Sequence, residues 1–151
     1  MEDGGSEMLI EHILASKGSD VIAVPTTATV AEAVDVLHAR GIGAVVVTDD
    51  GTTAAGILSE RDVVRLLAET GPDALTRPVT TAMTTTVHTC APEATLDELM
   101  ATMTTHRIRH LPVVRDGAMV GLVSIGDVVK LRVVELAQEA QVLHDYVNSG
   151  R

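Results

Sequence analysis

The sequence predicts an α/β (α+β) fold built from two β-α-β-β-α repeats related by a pseudo-two-fold axis, with an N-terminal helix before them and an extended C-terminal helix after. Three observations predict it. The phrase "GILSERD" at 56–62 returns as "GLVSIGD" at 121–127, keeping Gly, two aliphatic residues, Ser and Asp in place. A T-x-x-E helix start at Thr29–Glu32 returns at Thr95–Glu98, 66 residues later. The aliphatic run "VVVT" at 45–48 is answered by "LPVV" at 111–114. A unit of about 60 residues is too small to bury much surface alone, so two copies are expected to pack together.

The elements follow in order. Met8, Leu9, Ile13 and Leu14 have helical spacing and Gly18 stops them, so 6–16 reads as a short amphipathic helix. "VIAV" at 21–24 is a short strand ended by Pro25. Behind the Thr29 cap, Val30, Ala33, Val34 and Leu37 form one helical face, and Gly41 closes it. "AVVV" at 44–47, the turn "DDG" at 49–51 and "AGIL" at 55–58 read as a hairpin. Ser59 then opens a helix with Val63, Leu66 and Leu67 inward, ended by Gly71-Pro72. The second copy repeats the scheme. It has a strand at 87–90, a helix from Thr95 with Leu96, Leu99, Met100 and Met103, a strand at 111–114, the turn "RDG", and "GLVSIGD". These divide the chain into a helical lead-in (1–18), a first repeat (19–71), a polar connector (72–86), a second repeat (87–134) and a C-terminal helical extension (135–151). In the last helix, expected from Asp127 to about Val147, the residues Val129, Val133, Leu136, Ala140, Leu143 and Val147 step by four and three. Such a seam packs on its own domain or on a second copy.

Composition narrows the function. The net charge of −10 argues against nucleic acid and against an anionic membrane surface. No segment approaches the roughly 18 apolar residues of a membrane span, and the acidic start lacks a signal-peptide pattern, so a cytoplasmic protein is expected. Cys90 is the only cysteine, so there is no intrachain disulfide or Cys-based metal spacing, and it reads as a small buried hydrophobe. With one Tyr and no Phe or Trp, a ligand base is not expected to stack on an aromatic ring.

The duplicated G-h-h-S-x-x-D carries the chemistry, with h an aliphatic residue. A strand running into a helix at Ser presents unpaired N–H groups and partial positive charge, which favour an anion. An Asp one turn on can accept two hydrogen bonds, as a vicinal diol requires. The Gly leaves backbone room for a planar group. A plain helix N-cap uses the same Ser and Asp, and that reading stays open. "HRIRH" at 106–110 gathers cations in an acidic chain, either for phosphate or as a solvated rim. His106 and His110 have helical zinc spacing but lack the Glu of H-E-x-x-H.

Taken together, "IGAVVVTDDG", "GILSERDVVRLL", "RHLPVVRDG" and "GLVSIGDVVK" resemble a tandem pair of cystathionine-β-synthase (CBS) domains, a Bateman module, over about 20–134. The resemblance implies binding of AMP, ADP, ATP, S-adenosylmethionine or NAD(H) in clefts between the copies. It places ribose contacts on Ser59 and Asp62, and on Ser124 and Asp127. It places adenine contacts along Val21-Ile22 with Ala44-Val45, and along Val87-His88 with His110-Leu111-Pro112. It implies that Met83 lies over the nucleotide, with core packing as the alternative. Arg61 and Arg109 are phosphate candidates that would make the two sites unequal. It further implies a homodimer and a regulated protein met in trans, with no catalytic cofactor. No Walker A or G-x-G-x-x-G sequence occurs, and "LVSIG" departs from G-x-S-x-G in the place of its first Gly. A non-catalytic nucleotide-sensing module is therefore expected. The alternatives are a structural dimerisation protein with vestigial sites and a nucleotide hydrolase.

Overall fold

Local capping sets where the helices begin. In the computed structural model, which describes residues 9–17 and 20–149, α2 (Val30–Arg40) starts where the Glu32 N–H donates to Thr29 Oγ1 at 3.1 Å. The Thr29 N–H donates in return to the Glu32 carboxylate at 2.8 Å. The same reciprocal box, at 3.1 and 2.8 Å, starts α4 (Leu96–His106) at Thr95 and Glu98. Such a cap stabilises a helix by about 1 kcal/mol.

In the first repeat, β1 (Ala23–Val24) pairs in parallel with β2 (Ala44–Val47), and β2 pairs antiparallel with β3 (Gly56–Ser59). Helix α3 (Glu60–Thr70) follows without a break. In the second, β4 (His110–Arg115) pairs antiparallel with β5 (Ala118–Ser124), with a register shift between Val113 and Val114. Ala44 faces Ser59 in one hairpin and His110 faces Ser124 in the other, so both copies deliver their Ser from the same ladder position. Helix α5 (Ile125–Ser149) starts directly after Ser124, two residues ahead of the expected Asp127.

The expected strand at 87–90 is reduced to a single parallel bridge, Cys90 to Val113. Proline explains the loss. In the first repeat the Val46 N–H donates to Ile22 O at 3.2 Å. Its counterpart is Pro112, which has no N–H to give, so that rung of the ladder cannot form.

The lead-in and the connector depart further from expectation. Met8 and Gly18 lie outside the described residues. The remainder forms α1 (Ile10–Lys17), which completes the core of the second repeat. Its Ile10 N–H donates to Ala94 O at 2.9 Å, and Ile10 and Ile13 are buried with Leu96, Leu99, Leu111 and Val123. The connector completes the first core in the same way. It folds into two 3-10 turns, Gly71–Thr76 and Val79–Thr81, and the Val79 N–H donates to Ala28 O at 2.9 Å. Ala74, Val79 and Ala82 are buried with Val30, Val45 and Leu58. Each repeat is thus finished by the segment that precedes the other, and the Met119 N–H crosses between hairpins to Thr52 O at 3.0 Å.

Candidate functional site

Ser59 ends β3 in an extended conformation and caps α3. The Asp62 N–H donates to Ser59 Oγ at 3.3 Å, while the Ser59 N–H and hydroxyl donate to Asp62 Oδ2 at 2.9 and 3.0 Å. The other carboxylate oxygen, Oδ1, accepts from the Arg65 guanidinium at 3.0 Å and from Thr84 Oγ1 at 3.2 Å. A carboxylate has about four lone-pair directions, and all four of Asp62 are used while the side chain is buried. Arg65 also donates to Ala82 O at 3.1 Å, tying α3 to the connector. In the second copy the Ser124 N–H and hydroxyl donate to Asp127 Oδ2 at 2.9 and 3.1 Å. The N-cap reading is therefore realised in both copies.

The motif glycines serve packing. A β-carbon at Gly56 would lie 2.6 Å from Met83 Sδ, and one at Gly121 would lie 2.4 Å from Leu14 Cδ2. The backbone room read as space for a planar ligand is taken by these two side chains.

A cleft of about 260 Å³ opens between the repeats. From the first repeat it is lined by Gly43, Ile57, Arg65 and the turn Ser59–Asp62; from the connector by Thr84 and Thr86; from the second repeat by Val87, His88 and the corner 107–110. It brings together Ser59, Arg61, Asp62, Val87, His88, Arg109 and His110 as a set. Ala44, Val45, Leu111 and Pro112 are buried in their strands and do not line it; Val21 and Ile22 are half-buried outside it. Met83 packs against the first core instead. Ser124 and Asp127 stand apart, with Asp127 bordering a second depression of about 250 Å³ beside Ile13, Ser16, Lys130 and Leu131.

Arg107 joins the cleft from the 106–110 cation cluster read as a phosphate candidate, whereas nothing in the sequence reading points to Arg65 or Thr86. Arg65 lies one helical turn beyond Asp62, a spacing that could have flagged it. The connector threonines carried no repeat signal. The ring of His88 stacks on that of His106, with centroids 3.7 Å apart and planes 19° from parallel.

The CBS domain pattern matches residues 11–69 and again 79–134. The chain belongs to the CBS domain family. It is 36% identical over 159 aligned positions to the mitochondrial CBS domain-containing protein CBSX3 of Arabidopsis thaliana, covering 99% of this chain and 77% of that protein. The crystal structure of the CBS-domain containing protein ATU1752 from Agrobacterium tumefaciens superposes with a TM-score of 0.82 at 42% identity, covering 87% of this chain and 98% of that one. The CBS domain pair of protein MJ0100, solved in complex with 5′-methylthioadenosine and S-adenosyl-L-methionine, shares the fold with a TM-score of 0.73 at 24% identity, covering 83% of this chain and 95% of that one.

Within this CBS pair the cleft is cationic. Arg61, Arg107 and Arg109 make no side-chain hydrogen bond or ion pair among the described residues, whereas Arg65 is held by Asp62. The cleft can therefore attract an anion and offer hydroxyl, carboxylate and imidazole groups to a polar ligand. Cys90 lies outside it. Burial pushes its thiol up to about 12, and Sγ sits 3.7 Å from Pro112 O. Among the described residues no group of three or more His, Cys, Asp or Glu could hold a metal ion, and no helix is long and apolar enough to cross a membrane.

Proposed function

We propose that this CBS pair is a regulatory module that binds an adenine nucleotide (AMP, ADP, ATP or NAD(H)) without transforming it, assembles as a homodimer, and acts on a separate protein in trans. One observation carries the reading: a single cleft unites the Ser59–Asp62 turn of the first repeat with Val87, His88, Arg109 and His110 of the second. A ligand held there touches both repeats, so its binding energy can bias their relative packing. On this reading Asp62 accepts a ribose hydroxyl in exchange for the Thr84 hydroxyl, the more distant of the two donors on Oδ1. The adenosyl ligands of the MJ0100 pair belong to that protein and are consistent with this use of the fold. Domain limits at 19–71 and 87–134 and a cytoplasmic location are part of the same proposal.

A second reading has its own support. The satisfied Asp62 favours a structural dimerisation protein with vestigial sites, because its acceptors need no ligand. Native mass spectrometry of the purified protein, followed by calorimetric titration with AMP, ATP and NADH, separates the two. The proposal expects a retained adenosyl mass or measurable binding of at least one of the three. No retained small molecule and no heat with any of them would leave the structural reading.

A further inference from the structure

We infer that the cleft between the repeats is a polyphosphate clamp, selecting nucleoside di- and triphosphates over monophosphates and over uncharged or cationic adenosyl compounds. The clamp consists of Arg61, Arg107 and Arg109. The inference deepens the nucleotide reading and rests on it for the base, while the anion preference stands on separate observations.

The first is the gathering of charge. The protein carries a net charge of −10 and only 11 Lys and Arg residues. Three guanidiniums without an ion-pair partner among the described residues nevertheless meet in one cleft of about 260 Å³. The carboxylates in its lining are Glu60 and Asp62, and Asp62 is already paired with Arg65. Like charges brought together repel, and Glu60 alone is set against these three guanidiniums, so the lining favours the entry of an anion.

The second is a comparison the duplication makes within one molecule. Helices α2 and α4 end in the same left-handed turn, at Gly41 with φ 63° and ψ 40° and at Arg107 with φ 54° and ψ 46°. Glycine adopts that conformation freely, and an L side chain strains against it. The first repeat shows that glycine closes this corner, so the fold does not require an arginine there. The next cation repeats the substitution: where the first copy reads Gly41-Ile42-Gly43, the second reads Arg107-Ile108-Arg109. Both glycines of the corner are arginines, and both arginines line the cleft.

The third is the opposing wall. Arg61 lies in the first turn of α3, on the wall of the cleft opposite the Arg107–Arg109 corner, where the helix dipole favours negative charge. An anion between Arg61 and the Arg107–Arg109 corner joins the two repeats. Guanidinium forks suit phosphate oxygens, and each added phosphate offers them further acceptors. The corresponding corner of the first repeat carries no cation, so the preference belongs to this cleft alone.

Titration calorimetry on the full chain tests this, with ATP, ADP, AMP, 5′-methylthioadenosine and inorganic tripolyphosphate as probes. ATP is expected to bind at least about tenfold more tightly than AMP, and tripolyphosphate to compete with ATP. Arg107→Gly restores the residue of the first repeat. It should keep or raise the melting temperature while bringing the ATP and AMP affinities together. Arg109→Gln, which leaves the left-handed turn untouched, should act in the same direction on affinity. Equal binding of AMP and ATP, or ATP binding that ignores both substitutions, overturns the clamp and leaves the nucleotide reading intact. If tripolyphosphate binds as tightly as ATP, the clamp stands and the nucleotide reading falls. If neither tripolyphosphate nor any nucleotide binds, both fall.

Discussion

The side chain of Leu14 occupies the space that a β-carbon on Gly121 would need, its Cδ2 only 2.4 Å from that position. Met83 does the same to Gly56. Leu14 belongs to α1 and Met83 to the connector, two segments with no shared phrase. They are nevertheless equivalent pieces, each pressing one side chain onto the glycine of the motif strand it covers.

The two sites differ in one respect, and that difference predicts a graded response to alanine. At Gly121 the sub-3 Å contact is the end of a leucine side chain, which can turn aside. At Gly56 the new methyl would also meet Thr84 O, a backbone atom, at 2.9 Å. Gly121→Ala should cost roughly 1 kcal/mol and Gly56→Ala roughly 2–3 kcal/mol, the usual span for overpacking. Adding Leu14→Ala should recover part of the first loss. Adding Met83→Ala should recover little of the second. Urea denaturation of the four variants measures this, and equal costs at the two glycines would refute the part given to the Thr84 backbone at Gly56.

What the sequence made legible was local. The caps at Thr29 and Thr95 join residues three apart, so their phrase contains the whole interaction. The same holds for Ser59–Asp62 and Ser124–Asp127, which is why motif and repeat could be read directly. The lost strand at 87–90 depends on Pro112, a residue that meets it only in the folded ladder. The pairing of α1 with the second repeat and of the connector with the first leaves no trace in either segment's composition. The cleft was legible where it reuses the motif and opaque where it does not. Ser59, Asp62, His88 and Arg109 were found, while Thr84 enters only because the connector runs alongside β3.

Asp62 is a structural residue as well as a candidate ligand group. Asp62→Ala removes one acceptor shared by the Ser59 N–H, the Ser59 hydroxyl, Arg65 and Thr84. It should cost about 2–3 kcal/mol, combining a lost cap with unsatisfied donors. Thr84→Val removes a single donor and leaves Oδ1 with Arg65, so its cost should stay below about 1 kcal/mol. Thermal denaturation without ligand gives the comparison. If Asp62→Ala melts with the parent, the network contributes nothing to folding.

Cys90 predicts both a reactivity and a pH dependence. Burial alone raises its thiol from 9.0 to about 12. The thiolate is the reactive form, so iodoacetamide at pH 8 should leave the native protein unmodified and label it fully in denaturant. The folded pKa lies above the unfolded one, so folding favours the protonated thiol. That contribution is whole below about pH 9 and is lost as pH rises toward 12. The stability gap between parent and Cys90→Ala should therefore narrow above pH 9 and stay constant between pH 6 and 8. Rapid native labelling, or a gap that widens with alkali, would contradict the burial argument.

The C-terminal helix carries the prediction about assembly. Arg132 ties α5 to α4 through Asp97 and to Glu135 on its own helix. Within α5, Val128 and Glu135 are the buried residues. The aliphatic seam faces the other way: Val129, Val133, Leu136, Leu143 and Val147 are each more than half exposed. Helix α3 ends at Thr70, whose repeat counterpart is Glu135, so α5 runs on for about another 20 Å with nothing among the described residues to cover it. Val64 on α3, the counterpart of Val129, is exposed as well, which extends the apolar surface onto the first repeat. A second copy can bury all of these at once in the proposed homodimer. Leu136→Glu and Leu143→Glu would place unpaired carboxylates inside such an interface. Each should weaken dimerisation by at least about 100-fold. Val142→Glu changes an equally exposed residue beside the seam and should leave the dimer intact. Sedimentation velocity of the three variants and the parent decides the matter. A monomeric parent at micromolar concentration would remove the homodimer from the proposal, and equal weakening by all three substitutions would move the interface away from the seam.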